Sequence, residues 1–224
     1  LMDDLDIMTR PVSYMQITAA SADGKAHNIK VKVCASEELC LNFRGQDEVS
    51  TELLENDGIL SAKMGSVSQP VLGKDGDDIR IDWGYVYLFT NGKNAITKSS
   101  DRHDREYIHT VCEANENEKT LFFFAYDDIE SIEYFKKPLK SYWNRNGKTI
   151  LEAIKEANED YENTLKRCNE FSKKLYNDAV NVGGEKYAEL LLLSYRQVIA
   201  AHKLVLDENG EILYISKECN SNGC

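Results

Sequence analysis

The amino-acid sequence predicts an α+β chain that is mainly β: an antiparallel β-sandwich, then a long helix, then a second helix running into a hairpin. Three observations carry this reading. Short segments with period-two alternation and turn chemistry between them occupy the first two-thirds, with no helical pattern among them. After Pro138 the apolar spacing switches to that of a helix. Near the end, Asn209-Gly210 sits between two short apolar runs, a two-residue hairpin signal.

In chain order, Val12 to Ala20 alternates with the β-branched and aromatic content of a strand. Ala22-Asp-Gly-Lys25 supplies a turn, and His27 to Val33 places Ile29, Val31 and Val33 inward and Lys30 and Lys32 outward, which predicts a hairpin with one wet face. Further strands are expected at Ile59–Met64, Asp78–Phe89, Leu121–Ala125 and Glu130–Phe135. In the second of these, Ile79, Ile81, Trp83, Tyr85 and Tyr87 share a face, with Arg80 and Asp82 opposite. The polar stretch Gly92 to Asp104 reads as a surface loop. Thr149-Ile-Leu-Glu152 has the form of a capping box, and Ile150, Ile154, Ala157, Tyr161, Leu165, Cys168 and Leu175 make one helical stripe ending at Gly183-Gly184. A second helix, Glu185 to Leu204, is apolar over much of its circumference, which calls for burial by more protein than its partner helix. The hydrophobic surface of this final unit is left open, so the chain is expected to be a segment of a larger protein. A domain boundary falls near Lys140–Gly147.

Lys+Arg 27 against Asp+Glu 38 gives a net charge of -11. Basic residues are interleaved with acids, so neither nucleic acid nor an anionic membrane is an expected partner. No apolar run reaches the ~18 residues of a membrane span; the densest stretch, Ala188 to Leu193, belongs to a helix. The six cysteines, Cys34, Cys40, Cys112, Cys168, Cys219 and Cys224, contain no Cys-x-x-Cys and no His at zinc-finger distance, so no structural metal is expected. Idle or buried thiols are the favoured reading, although Cys34 with Cys40 and Cys219 with Cys224 are spaced to close loops.

Six blocks occur in order: Asp3-Asp-Leu-Asp-Ile-Met-Thr-Arg-Pro-Val-Ser-Tyr14, Ser21-Ala-Asp-Gly-Lys25, Asp78-Ile-Arg-Ile-Asp-Trp-Gly-Tyr85, Gly184-Glu-Lys-Tyr187, Tyr195-Arg-Gln-Val-Ile-Ala-Ala-His-Lys203 and Ser216-Lys-Glu-Cys-Asn-Ser-Asn-Gly-Cys224. Together they resemble the glutaminase A family, bacterial and fungal proteins assigned to hydrolysis of the glutamine side-chain amide. The resemblance implies a β-sandwich paired with an (α/α) toroid of six helical hairpins. Residues 1–145 would be later strands of the sandwich, and 146–224 the linker helix plus the first part of the toroid. It also implies a small amide substrate such as glutamine, the remaining parts of the same polypeptide as partners, a periplasmic or extracellular location, and no cofactor. The chain departs from the family in lacking an aromatic residue near Cys219-Asn220.

Amide hydrolysis needs an activated nucleophile and donors for the tetrahedral oxyanion. No Gly-x-Ser-x-Gly elbow is present and no Cys/His signature is recognisable, so no catalytic residue is assigned. His202 is the best-placed titratable group, and Glu218 a second catalytic candidate. On a helix His202 would share a face with Val198 and Ile199, which favours a hydrogen-bonded core histidine. Arg196 is a binding candidate, against which stands pairing with acids of the preceding helix. Asp82 beside Trp83 suits a sugar, but an aromatic at strand spacing is usually core, with Asp82 then satisfying backbone amides. Ser221 and Asn222, with Glu218, would sit on a loop at the toroid mouth, where a site edge competes with a plain turn. Three functions follow: a segment of a glutaminase-like amidohydrolase, part of a carbohydrate-active enzyme, or a non-catalytic scaffold. The isolated segment is expected to be inactive.

Overall fold

In the computed structural model, which describes residues 1–74, 80–90, 95–100 and 105–216, a short helix α1 (Leu5–Thr9) precedes eight strands. These are β1 (Val12–Thr18), β2 (Ile29–Ser36), β3 (Val49–Asn56), β4 (Ile59–Ser66), β5 (Tyr85–Thr90), β6 (Ala95–Ser100), β7 (Glu106–Ala114) and β8 (Lys119–Asp127). They form two antiparallel sheets, ordered β1-β8-β5-β4-β3 and β2-β7-β6. The smaller sheet contributes Val33, Ala35, Ile108 and Cys112 to the core, and the larger contributes Ala62, Met64 and Leu88.

The expected sandwich is present, with several corrections to its parts. β1 and β2 are not a hairpin: β1 pairs with β8 and β2 with β7. β1 turns Tyr14 toward Tyr161 on the helix side of the larger sheet, whereas β2 turns Val33 and Ala35 into the core from the smaller one, and the exposed Ala22–Lys25 stretch links the sheets. The polar stretch after Gly92 contains β6, an edge strand whose Thr97 to Ser100 are exposed; an edge needs no apolar pattern. Of the strand expected at Asp78–Phe89, Asp78 and Ile79 lie outside the described residues, Arg80 to Gly84 are not in a strand, and β5 begins at Tyr85. Gly84 lies at φ +84°, and a Cβ there would stand 2.2 Å from the Asp127 carbonyl oxygen, so the chain turns before it can join the ladder. β3 and β7 had no counterpart in the sequence reading. Asp57-Gly58, both at positive φ, is the two-residue turn joining β3 to β4.

At its central strands β5 and β8 the five-stranded sheet is buried on both faces, which explains the unbroken run Leu121-Phe-Phe123 in β8. Away from the sandwich interior, Phe89 stacks on Phe123 at 4.4 Å, and Tyr14 and Tyr161 close edge-on around Phe123 at 5.5 and 6.3 Å. Two more strands, β9 (Ile132–Tyr134) and β10 (Lys137–Leu139), form a small hairpin.

Helix α2 (Ile150–Glu159) packs Ile150, Ala153 and Ile154 into this core. Its capping box is formed: the Glu152 amide donates to Thr149 Oγ1 at 3.3 Å, and the Thr149 amide to Glu152 Oε2 at 2.7 Å. The helix read as continuous from Thr149 is broken at Asp160 (φ −101°, ψ 10°), and α3 (Tyr161–Gly183) starts afresh. Gly184, at φ +81°, separates α3 from α4 (Glu185–Ala200). α4 buries only Ala188 and leaves Tyr187, Leu190, Leu193 and Val198 exposed. It stops four residues short of Leu204, because His202–Leu206 forms β11, paired with β12 (Ile212–Ser216). Val205 in β11 is fully buried against Ile132 and Leu139 of the β9–β10 hairpin. The expected two-residue Asn209-Gly210 turn is instead part of a five-residue connection, Asp207 to Glu211, in which only Gly210 has positive φ and the Asp207 amide donates to the Glu211 carbonyl at 3.0 Å.

Candidate functional site at the seam between sandwich and helices

Two polar clefts line the seam, one on each side of the segment Asp3 to Tyr14. The first, about 360 Å³, is lined by Asp4, Asp6, Arg10, Lys148, Glu156, Asp160 and Arg167. Its charges are spent on one another. Arg10, almost fully buried, donates to both carboxylate oxygens of Asp160 at 3.0 Å and to Tyr14 Oη at 2.8 Å. That fork explains the helix break, since Asp160 leaves the α2–α3 axis to receive it. Arg167 donates to Asp4 at 2.8 Å and Arg145 to Asp6 at 2.5 Å. These hydrogen bonds hold both carboxyls below the usual aspartate range.

The second cleft, about 380 Å³, lies between Met8, Thr9, Pro11 and Ser13 on one wall and Ile199, His202, Lys203 and Tyr214 on the other. His202 opens strand β11, not a helix as expected. Its ring stacks on Tyr214 at 4.6 Å, and its Nδ1 is 2.6 Å from the Val198 carbonyl. A carbonyl only accepts, so Nδ1 carries a proton and Nε2 of the neutral ring is an acceptor. Beside it Lys203 pairs with Asp128 at 2.9 Å, and Ser131 Oγ donates to the same carboxylate oxygen at 2.8 Å. The Trp83 indole donates to the Asp128 carbonyl at 2.7 Å and to the Glu130 carbonyl at 3.1 Å. Trp83 is therefore core, tied to the seam through Asp128.

Asp82 is turned elsewhere. Its Oδ2 accepts from Gln46 Nε2 at 2.5 Å and Lys74 Nζ at 2.8 Å, while Oδ1 is buried without a hydrogen-bond partner among the described residues. It satisfies side chains, not the backbone amides expected for it. Arg196 is exposed and pairs with no acid among the described residues, so the expected pairing with the preceding helix does not form. Glu218, Ser221 and Asn222 lie outside the described residues, as do Cys219 and Cys224. Cys34 and Cys40 are both free; Cys40 is turned inward, donates to the Met64 carbonyl at 3.2 Å, and burial pushes its thiol up to about 12.

Of the named candidates, His202 lines a described cleft. Tyr214, Lys203 and Asp128 went unnamed because each acts through a partner distant in sequence, although the Asp127-Asp128 pair ending a strand was a visible signal. Among the described residues His202 has no hydroxyl or thiol partner, so no nucleophile–base pair is assembled there. No helix among the described residues is long and apolar enough to cross a membrane.

Comparison with known proteins agrees with this architecture. The family model described as Domain of unknown function (DUF5127) matches residues 1–110 and 106–178. The model described as Glutaminase A six helical-hairpin domain matches residues 184–224. The boundary between the two models thus falls at the α3–α4 turn. The chain belongs to the glutaminase A family, with DUF5127 over the sandwich, α2 and most of α3, and part of the six-hairpin domain from α4 onward. Among curated proteins, Glutaminase A of Aspergillus oryzae (strain ATCC 42149 / RIB 40) is 22% identical over 255 residues, covering 99% of this chain and 36% of that protein. The chain therefore spans about a third of the length of this curated relative. No solved structure matches.

Proposed function

We propose that the protein to which this chain belongs is an amidohydrolase that converts L-glutamine and water to L-glutamate and ammonia, and that these residues form its domain junction. The observation that carries the reading is similarity to a protein named Glutaminase A across 99% of the chain. In this reading residues 1–145 are later sandwich strands, and 146–224 are the linker helix with the first part of the six-hairpin toroid. The exposed Tyr187, Leu190 and Leu193 of α4 then receive further hairpins of the same polypeptide. The His202 cleft forms an edge of the substrate region, with Nε2 able to accept from an amide N–H. The groups that attack the amide and hold its oxyanion belong to the rest of the toroid. A periplasmic or extracellular location belongs to the same reading.

The test is ammonia release from glutamine by the full-length protein. Release that disappears on deleting the hairpin domain supports the proposal. No release from glutamine or related amides overturns it.

A further inference from the structure

The tip of the β9–β10 hairpin has a geometry that packing alone does not require. Tyr134 pairs with Lys137 across a two-residue turn, and both turn residues, Phe135 and Lys136, have positive φ (48° and 65°). Asn-Gly or Asp-Gly favours such a turn, and a bulky aromatic there is a strained choice. The strained residue is also 82% exposed, the most exposed large hydrophobic side chain among those described. Its ring meets Tyr134 edge-to-face at 4.6 Å. Beside it the β11–β12 loop completes a cleft of about 180 Å³ lined by Tyr134, Phe135, Lys137, Glu208 and Asn209.

The charges of this cleft are already matched. Lys137 pairs with Glu208, and Asp207 accepts from the Asn209 and Glu211 amides at 2.8 Å each. An ionic ligand would have to break these contacts. What remains on offer is an open aromatic face beside amide, ammonium and carboxylate groups that can also hydrogen-bond hydroxyls. We propose that this cleft is a saccharide-binding site, in which the C–H face of a neutral sugar ring stacks on Phe135 and its hydroxyls meet Asn209, Lys137 and Glu208. The site is non-catalytic and independent of the amidohydrolase reading.

The experiment is affinity electrophoresis of the full-length protein in gels containing laminarin, yeast mannan or dextran. Retardation in at least one gel is expected. Phe135→Gly should weaken it about tenfold, as loss of one stacking contact implies, and Phe135→Trp should retain it. Glycine relaxes the turn while removing the ring, so loss of binding in that variant does not reflect misfolding. Retardation in none of the three gels, or equal retardation of Phe135→Gly, overturns the proposal. So does hydroxyl-radical footprinting that finds Phe135 shielded by the protein's own chain without sugar. Ammonia release from glutamine by the same variants reads out separately.

Discussion

Helix α2 and strand β11 both dock on the sandwich, but by different means. α2 sinks Ile150, Ala153 and Ile154 into the main core, next to the ring cluster of Tyr14, Phe89, Phe123 and Tyr161. β11 has one fully buried valine, a small cluster with Ile132 and Leu139, and the Lys203–Asp128 pair. The first joint is made by apolar area and is insensitive to any single charge. The second is narrow, so its orientation depends on a few directional contacts. A junction that aligns a helical domain on a sandwich gains register from such contacts more than stability.

The contrast is tested first by truncation. Phe123→Ala should cost about 3–5 kcal/mol, the usual range for a buried Phe, read as a fall in the urea midpoint. Val205→Ala should cost about 2 kcal/mol, less than a long buried side chain because fewer atoms are lost. Equal costs would erase the distinction between the joints. Between them lies Lys203→Ala, at roughly 2–3 kcal/mol, because it removes the ammonium paired with the buried Asp128 carboxylate. Asp128→Ala should cost less, about 1 kcal/mol, since the Lys203 ammonium can turn to water. The reverse order would show that the lysine stem, not the charge, holds the strand.

What was legible in the sequence follows the same division. Local signals read correctly: the Thr149–Glu152 capping box, the alternation of Ile29, Val31 and Val33, and Gly184 between helices each depend on residues within a turn or two. Pairing did not. Nothing near Val12 says that its partner is Ala125, 113 positions on, and not the next strand. His202 was placed on a helix because the apolar run of α4 continues into β11, and a short apolar run does not distinguish the two. The Arg10–Asp160 fork, which breaks the long helix, joins residues 150 apart. Of the site, His202 was named for its surroundings, but its cleft is built by Ser13, Lys203 and Tyr214 from three separate segments.

Acid separates the two sides of the molecule by sign. Asp4 and Asp6 have folded pKa values held down by Arg167 and Arg145. Their contribution is present above the unfolded value of about 3.9 and is lost as pH falls through the folded values. Asp127 is pushed up by burial, so its penalty is present above its folded value and relieved as pH falls toward about 3.9. Acidification from neutrality should therefore first cost little or even stabilise, then destabilise below about pH 4. Asp127→Asn, which keeps the oxygen accepting from the Ile129 amide at 3.0 Å, should remove the first phase and leave the second. Urea midpoints across that range give the two curves, and identical curves would remove Asp127 from the account.

The smallest expected effect compares two turns of the same type. Asp57-Gly58 closes β3–β4 with residues suited to positive φ, while Phe135-Lys136 closes β9–β10 with two that are not. Phe135→Gly should therefore stabilise the protein, by up to about 1 kcal/mol, because glycine takes the left-handed region without the steric cost of a Cβ. Its own gain in unfolded-state entropy works against this, which keeps the net effect small. Gly58→Phe at the other turn should destabilise by a similar amount, at an exposed site where a Cβ meets nothing within 4 Å. Opposite signs in the two unfolding curves would identify backbone strain as the cause. A loss of stability in Phe135→Gly would instead mean that the exposed ring contributes through its contact with Tyr134, and the strained turn would then need no ligand to account for its aromatic residue.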